Sequence, residues 1–420
     1  MARSKTKFAI DLGLSDVKIK RVTQNEQGSY HIYVSCIARQ GHCSQCDKPL
    51  TRSHGQCKET TIEHIPILEQ RVFIHVHWPR FSCPDCDNKT SCFHPNWLNK
   101  TGNKTIPFEH YVLKLLINST VKDVATKLKL TEDIVESILH RQINTDYNWE
   151  LTQPKVIGFD EIALRKGHSH YLTIVTDLSE PQVKIIGVID GRTKEDLQPF
   201  LQQIPREILF SLQSICIDMG ASYFAALEEI INDTEVFDEM VTIDRFHVAK
   251  LVGSKADKVR KKITNKLKKE FAEDEEKLEK IKGTMWLFRH HPKDLKEEQL
   301  EKLNQFLDYS EELKAVYDLR ESLYEIFEQL ITPDEASKKI EVWIGKANAY
   351  SVFESFIKTY RKFQCNILNY FKHRESSGPV EGINNKIKVV KRRGYGFTNI
   401  IYFTKRLFLD INYKSQFMPC

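Results

Sequence analysis

Long hydrophobic runs are missing from this chain: no stretch in its 420 residues approaches the roughly 18 consecutive apolar residues that a membrane-spanning helix needs. The opening segment MARSKTKFAIDLG lacks the extended apolar core of a secretion signal, so the expected setting is the cytoplasm. A large excess of charge is missing as well. With 62 basic and 57 acidic residues the formal charge is only +5, so any case for nucleic acid must come from local clusters of Lys and Arg. Glycine-rich phosphate loops are also scarce. IDLG at residues 10–13 resembles one phosphate-binding strand of sugar kinases, but no second such loop follows in a suitable place. The length exceeds one simple core, and roughly two to four globular modules are expected.

Cysteine, by contrast, is concentrated. Seven of the ten cysteines fall before residue 93, and without a secretion signal reduced thiolates that hold metal fit better than disulfides. Cys43-Ser-Gln-Cys46 and Cys83-Pro-Asp-Cys86 are two C-x2-C knuckles, suited to closing one tetrahedral structural zinc site. Strand-like segments TTIEHIPI and QRVFIHVHW lie between them. Cys36, Cys57 and Cys92 are left as spare thiols, with His42, His54, His75, His77 and His94 as alternative ligands. His75 and His77 flank Val76 and share one strand face; an electrostatic role there toward phosphate has no support in the sequence.

From about residue 105 the apolar period changes. VKDVATKL and EDIVESILHRQI, separated by the break KLT, carry helical spacing and predict a helix-turn-helix in which Thr131 caps the second helix. That helix would enter a major groove, although Glu132, Asp133 and Glu136 keep an ordinary helical hairpin open.

After a linker near Asn148–Pro154 come three strand-like segments, KVIGFDEI, HYLTIVTDL and QVKIIGVID. Alternating helices and strands follow, including SICIDMG and EMVTIDRFHVAKLV. This order resembles a ribonuclease-H-like core, whose carboxylates gather at neighbouring strand ends. Asp160 follows one strand, Asp218 ends another, and Glu381 opens a basic helix in SGPVEGINNKIKVVKRRGYG; carboxylate oxygens are the ligands magnesium prefers. Residues 254–370 read as charged helices that interrupt the core. The expected fold class is therefore multidomain α+β. A zinc-binding β module spans 1–100, a helix-turn-helix 101–147, a ribonuclease-H-like α/β core 148–253 and 371–420, and an all-α insertion 254–370.

CSQC, CPDC, GFDEIALRKGHSHYLTIVTDL, CIDMGASY, TIDRFHVAKLV and SGPVEGINNKIKVVKRRGYGF, in this order, resemble an insertion-sequence transposase of the DDE type in the ISL-three group, over nearly the whole chain. The resemblance implies Asp160, Asp218 and Glu381 as the catalytic carboxylates. Asp244, in the D-x-x-H segment ending at His247, competes with Asp218 for the second position. Asp177, Asp190 and Glu161 read as turn or solvent-facing acids, and Trp286 and Trp343 as helix-packing residues of the insertion. The expected activity is binding of the element's terminal inverted repeats in double-stranded DNA, then strand cleavage and strand transfer. Two magnesium or manganese ions, roughly 3.5–4 Å apart, would activate the attacking oxygen and stabilise the departing one. Lys386, Lys388, Lys391, Arg392 and Arg393 are the expected DNA contacts, with Tyr395 and Phe397 as core or base-stacking aromatics beside Gly394 and Gly396. Paired ends imply a homo-oligomer, at least a dimer. The alternatives are a DNA-binding regulator derived from a transposase, or a ribonuclease-H-like nuclease without strand transfer.

Overall fold

Period-two alternation puts Ile32, Val34, Ile62, Val72, Ile74 and Val76 on one face of a sheet, where they pack with Trp78, Trp97 and Leu98. The strands are β1 (Val17–Gln24), β2 (Tyr30–Cys36), β5 (Ser53–Ile67), β6 (Gln70–Ser82) and β7 (Thr90–Cys92), ordered β1-β2-β6-β5 with β7 also on β6. β2 and β6 are parallel and the other pairs antiparallel. The short strands β3 (Gly41–His42) and β4 (Pro49–Leu50) form a ribbon beside the first knuckle. Cys57 and Cys92, expected as spare thiols, are joined as a disulfide. Their strands β5 and β7 both bond to β6, a proximity that the intervening chain hides.

The helical segment contains α1 (Ile106–Leu116), α2 (Val121–Leu128) and α3 (Glu132–Gln142). Thr105 and Thr120 cap α1 and α2 by accepting from the Phe108 and Asp123 N–H groups. Thr131 departs from expectation: it occupies the cap position of α3, but its side chain makes no capping bond. Glu132 and Asp133 place negative charge at that helix start instead. Glu109 on α1 is fully buried and accepts from Asn99 Nδ2 at 2.6 Å and from Arg141 of α3, which fixes the first helix against the third.

This computed structural model describes residues 11–164, 170–179, 183–374, 378–394 and 399–418. By contact density it divides into two units, residues 1–144 with 408–420, and residues 145–407. In the first unit the Asn118 N–H donates to Asp410 Oδ1 at 3.0 Å and Phe417 packs edge-on to His110.

In the second unit the predicted strands appear as β8 (Val156–Ala163), β9 (Tyr171–Asp177), β10 (Lys184–Asp190), β11 (Ser214–Ile217) and β12 (Val241–Ile243). Their order is β10-β9-β8-β11-β12: an antiparallel meander of three, then two strands parallel to β8. The helix Lys194–Leu201 starts at a Thr193–Asp196 capping box, and a Cβ at Gly187 would stand 2.4 Å from the Phe200 ring packed over β10.

The long helix Arg245–Glu270 begins directly after β12. Val248, Val252, Ala256, Val259, Ile263 and Leu267 form its buried stripe, while Lys258, Lys261, Lys262, Lys266, Lys268 and Lys269 are exposed, so most of the basic run is a solvated face. From there to residue 373 the described elements are helices. Trp343 is buried and its indole N–H donates to the Leu319 carbonyl at 2.7 Å, whereas Trp286 is exposed. Asn366 and Asn369 both donate to the Val241 carbonyl, returning the helical segment to β12. No described helix is long and apolar enough to cross a membrane.

Candidate active site and zinc centre

On the parallel pair β8 and β11, Ile157 stands opposite Ile215 and Gly158 opposite Cys216. Two residues further on come Asp160, inside β8, and Asp218, directly after the end of β11, so the register, continued, would set the two carboxylates level with each other. Each is gripped by the next peptide: Asp160 Oδ1 accepts from the Glu161 N–H at 2.6 Å and Asp218 Oδ1 from the Met219 N–H at 2.5 Å. Tyr223 lies within electrostatic reach of both. Burial, together with the charges of Glu161, Asp160 and Asp218, pushes its phenol well above the ordinary range against a bond with Thr173.

His247 Nδ1 lies 3.0 Å from Asp218 Oδ1. Burial pushes the imidazole down, but the bond and charge of Asp218, aided by Asp244 and Asp160, outweigh it and hold His247 above the usual histidine range. Burial likewise raises Asp218, yet His247, the Met219 N–H and Lys250 bring it below the usual carboxylate range. Asp244, the competing second ligand, is buried and caps the Arg245–Glu270 helix by accepting from the Phe246 N–H at 2.9 Å. Of the acids read as turn or solvent-facing, Asp177 is instead buried and accepts from Tyr147, while Asp190 pairs with His170 and Glu161 with Arg192.

The helix Gly378–Arg393 docks on β8 at two points two turns apart. Asn384 Nδ2 donates to Asp160 Oδ2, and Lys391 Nζ donates to the Ala163 carbonyl at 2.6 Å. Asn384 Oδ1 is buried and has no hydrogen-bond partner among the described residues. The backbone of Glu381 belongs to this helix, one turn before Asn384, and its side chain lies outside the described residues. Lys388, Arg392 and Arg393 are exposed and Lys386 is half-buried. Tyr395, Gly396 and Phe397 also lie outside the described residues.

In the first unit Cys43, Cys46, Cys83 and Cys86 converge, their sulfurs all within 4.8 Å of one another. Cys43 to Cys86 is 3.9 Å and Cys46 to Cys83 is 3.7 Å. A Zn–S bond of about 2.3 Å requires tetrahedral edges of about 3.8 Å, which these spacings match. Backbone N–H groups of Cys46 and Gln45 draw the Cys43 thiol down to about 6, while the thiol of Cys46, with burial, pushes Cys86 up to about 12. Four thiolates cannot coexist there without a positive charge between them. The four-cysteine cluster supports a structural zinc.

Residues 157–407 match the ISL3-type DDE domain described as "Transposase". The chain belongs to the ISL3 family of transposases. Residues 39–86 match the "zinc-finger of transposase IS204/IS1001/IS1096/IS1165" and residues 94–143 the "Helix-turn-helix domain of transposase family ISL3". A relative from Bordetella parapertussis, "Transposase for insertion sequence element IS1001", is 28% identical over 89% of each chain. Another from Mycobacterium tuberculosis, "Transposase for insertion sequence element IS1557", is 23% identical over 78% of this chain and 76% of its own. No solved structure matches the chain.

As an ISL3 transposase the chain is a DNA-cleaving and DNA-transferring enzyme with a helix-turn-helix DNA-binding domain, and its DDE family implies a divalent metal. Around Asp160 and Asp218 the sequence left two contacts unseen. His247, the end of the D-x-x-H segment, pairs with Asp218, and Asn384, inside the SGPVEGINNKIKVV segment, donates to Asp160. The available signal for Asn384 is its spacing of one helical turn from Glu381.

Proposed function

We propose that this transposase binds the terminal inverted repeats of its own insertion element and cuts and rejoins DNA at a carboxylate site made of Asp160, Asp218 and Glu381. The observation that carries the reading is the contact of Asn384 with Asp160: it brings the helix that bears position 381 onto the strand whose Asp160 the continued register would set level with Asp218. The meander followed by two parallel strands supports a ribonuclease-H-like core made from residues 148–253 and the returning segment after 371, with residues 254–370 as a helical insertion.

The donor set fits hard divalent cations: carboxylates already fixed by backbone N–H groups, and beside them the Asn384 amide oxygen, unpartnered among the described residues. Two magnesium or manganese ions, when bound, would supply a stronger nucleophile and a sink for charge on the leaving oxygen. The chain's own residues do the positioning. The Glu161 and Met219 N–H groups and the Asn384 amide hold the two aspartates in one orientation, which removes a reorganisation cost at reaction. Lys386, Lys388, Arg392 and Arg393, on the helix that carries position 381, would meet the phosphates of the strand being cut, and Lys391 ties that helix to β8. The partner is double-stranded DNA at both element ends and at the target, bridged by at least two protomers.

The test is a magnesium-dependent reaction on labelled duplexes that carry the element ends, with a supercoiled target. Cleavage and joining that both vanish in Asp160→Ala, with end binding retained, are the expected result. Cutting by that variant would overturn the assignment.

A further inference from the structure

The face of the N-terminal sheet opposite its apolar core is not an ordinary polar face. Tyr33 and His31 of β2 stand beside His75 and Phe73 of β6 in parallel register, and Arg21 of β1 stands beside Tyr33. The rings stack in turn along the sheet: Tyr33 on His75 at 4.6 Å, His75 on His31 at 5.1 Å and His31 on Phe73 at 5.4 Å, with interplanar angles of 18–27°. A guanidinium closes each end, Arg21 over Tyr33 at 4.3 Å and Arg71 over Phe73 at 4.9 Å. A chain of bonds from Asn25 through His31 and His75 to Glu59 fixes the rings.

This geometry selects among partners. Ring faces are consumed by neighbouring rings, so bases have no open platform between them. The same face carries the two arginines and Lys18, which pairs with Ser35, and one acid beside the rings, Glu59, held by His75 and His77. Glu63, the acid nearest Arg71, is shared with Lys104 and so leaves that end cationic. The strip also runs into the helix-turn-helix. A cavity of about 430 Å³ has Arg71, Phe73, Glu63 and Lys104 on its sheet side and Lys129, Leu130, Thr131 and Ile134, the turn and the start of α3, on the other. The start of the second helix is the end that reaches base edges in such motifs. A duplex seated on α3 would continue over the strip. Two strand gaps of about 4.8 Å across β1, β2 and β6, and the four residues from His75 to Arg71 at about 3.3 Å each along β6, make the strip roughly 15–20 Å long, about half a turn of duplex.

We propose that the strip Arg21–Tyr33–His75–His31–Phe73–Arg71 is a DNA-contact element additional to the helix-turn-helix, which grips the sugar–phosphate backbone beside the α3 site without reading sequence. It rests on the reading that α3 binds element ends, and it adds a contact that lengthens the bound segment.

The experiment uses full-length protein with an end duplex and a scrambled duplex of equal length. Affinity is measured across salt concentrations and the backbone is footprinted. Arg21→Ala combined with Lys18→Ala should weaken both duplexes about tenfold and reduce the salt slope by about one for each lost cation. Protection flanking the α3 site should vanish while protection over it stays. Arg21→Lys should restore the slope, which a merely structural role for Arg21 would not do. Unchanged slope and footprint, or a loss confined to the end duplex, would overturn the strip. If wild-type protein shows no preference for the end duplex, the α3 reading fails instead, and the scrambled duplex still reports on the strip.

Discussion

Asn384 donates its side-chain amide to Asp160 Oδ2, joining positions 224 residues apart. The bond orients a carboxylate and docks a helix at once. Asn384→Ala should slow cleavage of element ends about 10–100-fold, the usual cost of losing a partner that orients a ligand, with little change in end binding. Asn384→Asp, which faces one carboxylate with another, should be worse than alanine. Equal rates for wild type and both variants in a single-turnover assay would remove Asn384 from the site.

Asp218 differs from Asp160 in having an imidazole partner. Asp218→Asn keeps the shape but removes the charge, so both cleavage and joining should fall below detection while gel-shift affinity for the ends holds. His247→Ala should leave partial activity, because the Met219 N–H still holds Asp218. A His247→Ala enzyme as dead as Asp218→Asn would mean that the imidazole touches the reacting groups itself.

Zinc removal acts on the other unit. Cys43→Ser with Cys46→Ser should abolish bound zinc, measured as metal per chain, and should weaken end binding because folding of the first module is coupled to metal. Purified double variant that retained one zinc per chain would reject the four-thiolate assignment.

Asp257 tests the helical segment. Burial raises its carboxyl, but bonds from Arg289 and Arg260 outweigh that and hold it well below the usual range. A lowered folded value means that the stabilising contribution is complete above the ordinary aspartate range, about pH 4, and is lost as pH falls below it toward the folded value. Asp257→Ala leaves the buried Arg260 unpaired and should cost about 3 kcal/mol near pH 7. Denaturant melts should show that gap narrowing as the medium is acidified below about pH 4; a gap independent of pH would place the loss elsewhere.

The sequence by itself determined the pieces whose causes are local. Cysteine spacing marked the two knuckles, a change of apolar period marked the helix-turn-helix, and alternating apolar runs marked β8 to β12, because periodicity and ligand spacing act over a few residues. It also named Asp160 and Asp218 by their places beside strands. Only the tertiary structure decided which residues hold them: His247 on Asp218, Asn384 on Asp160, and Asp244 turned to capping a helix. The same holds for the Cys57–Cys92 pair and for the rings of Tyr33, His75 and His31, which meet only when β2 and β6 align. Strand register and helix docking are settled by burying whole faces, a sum over distant residues that local spacing does not contain.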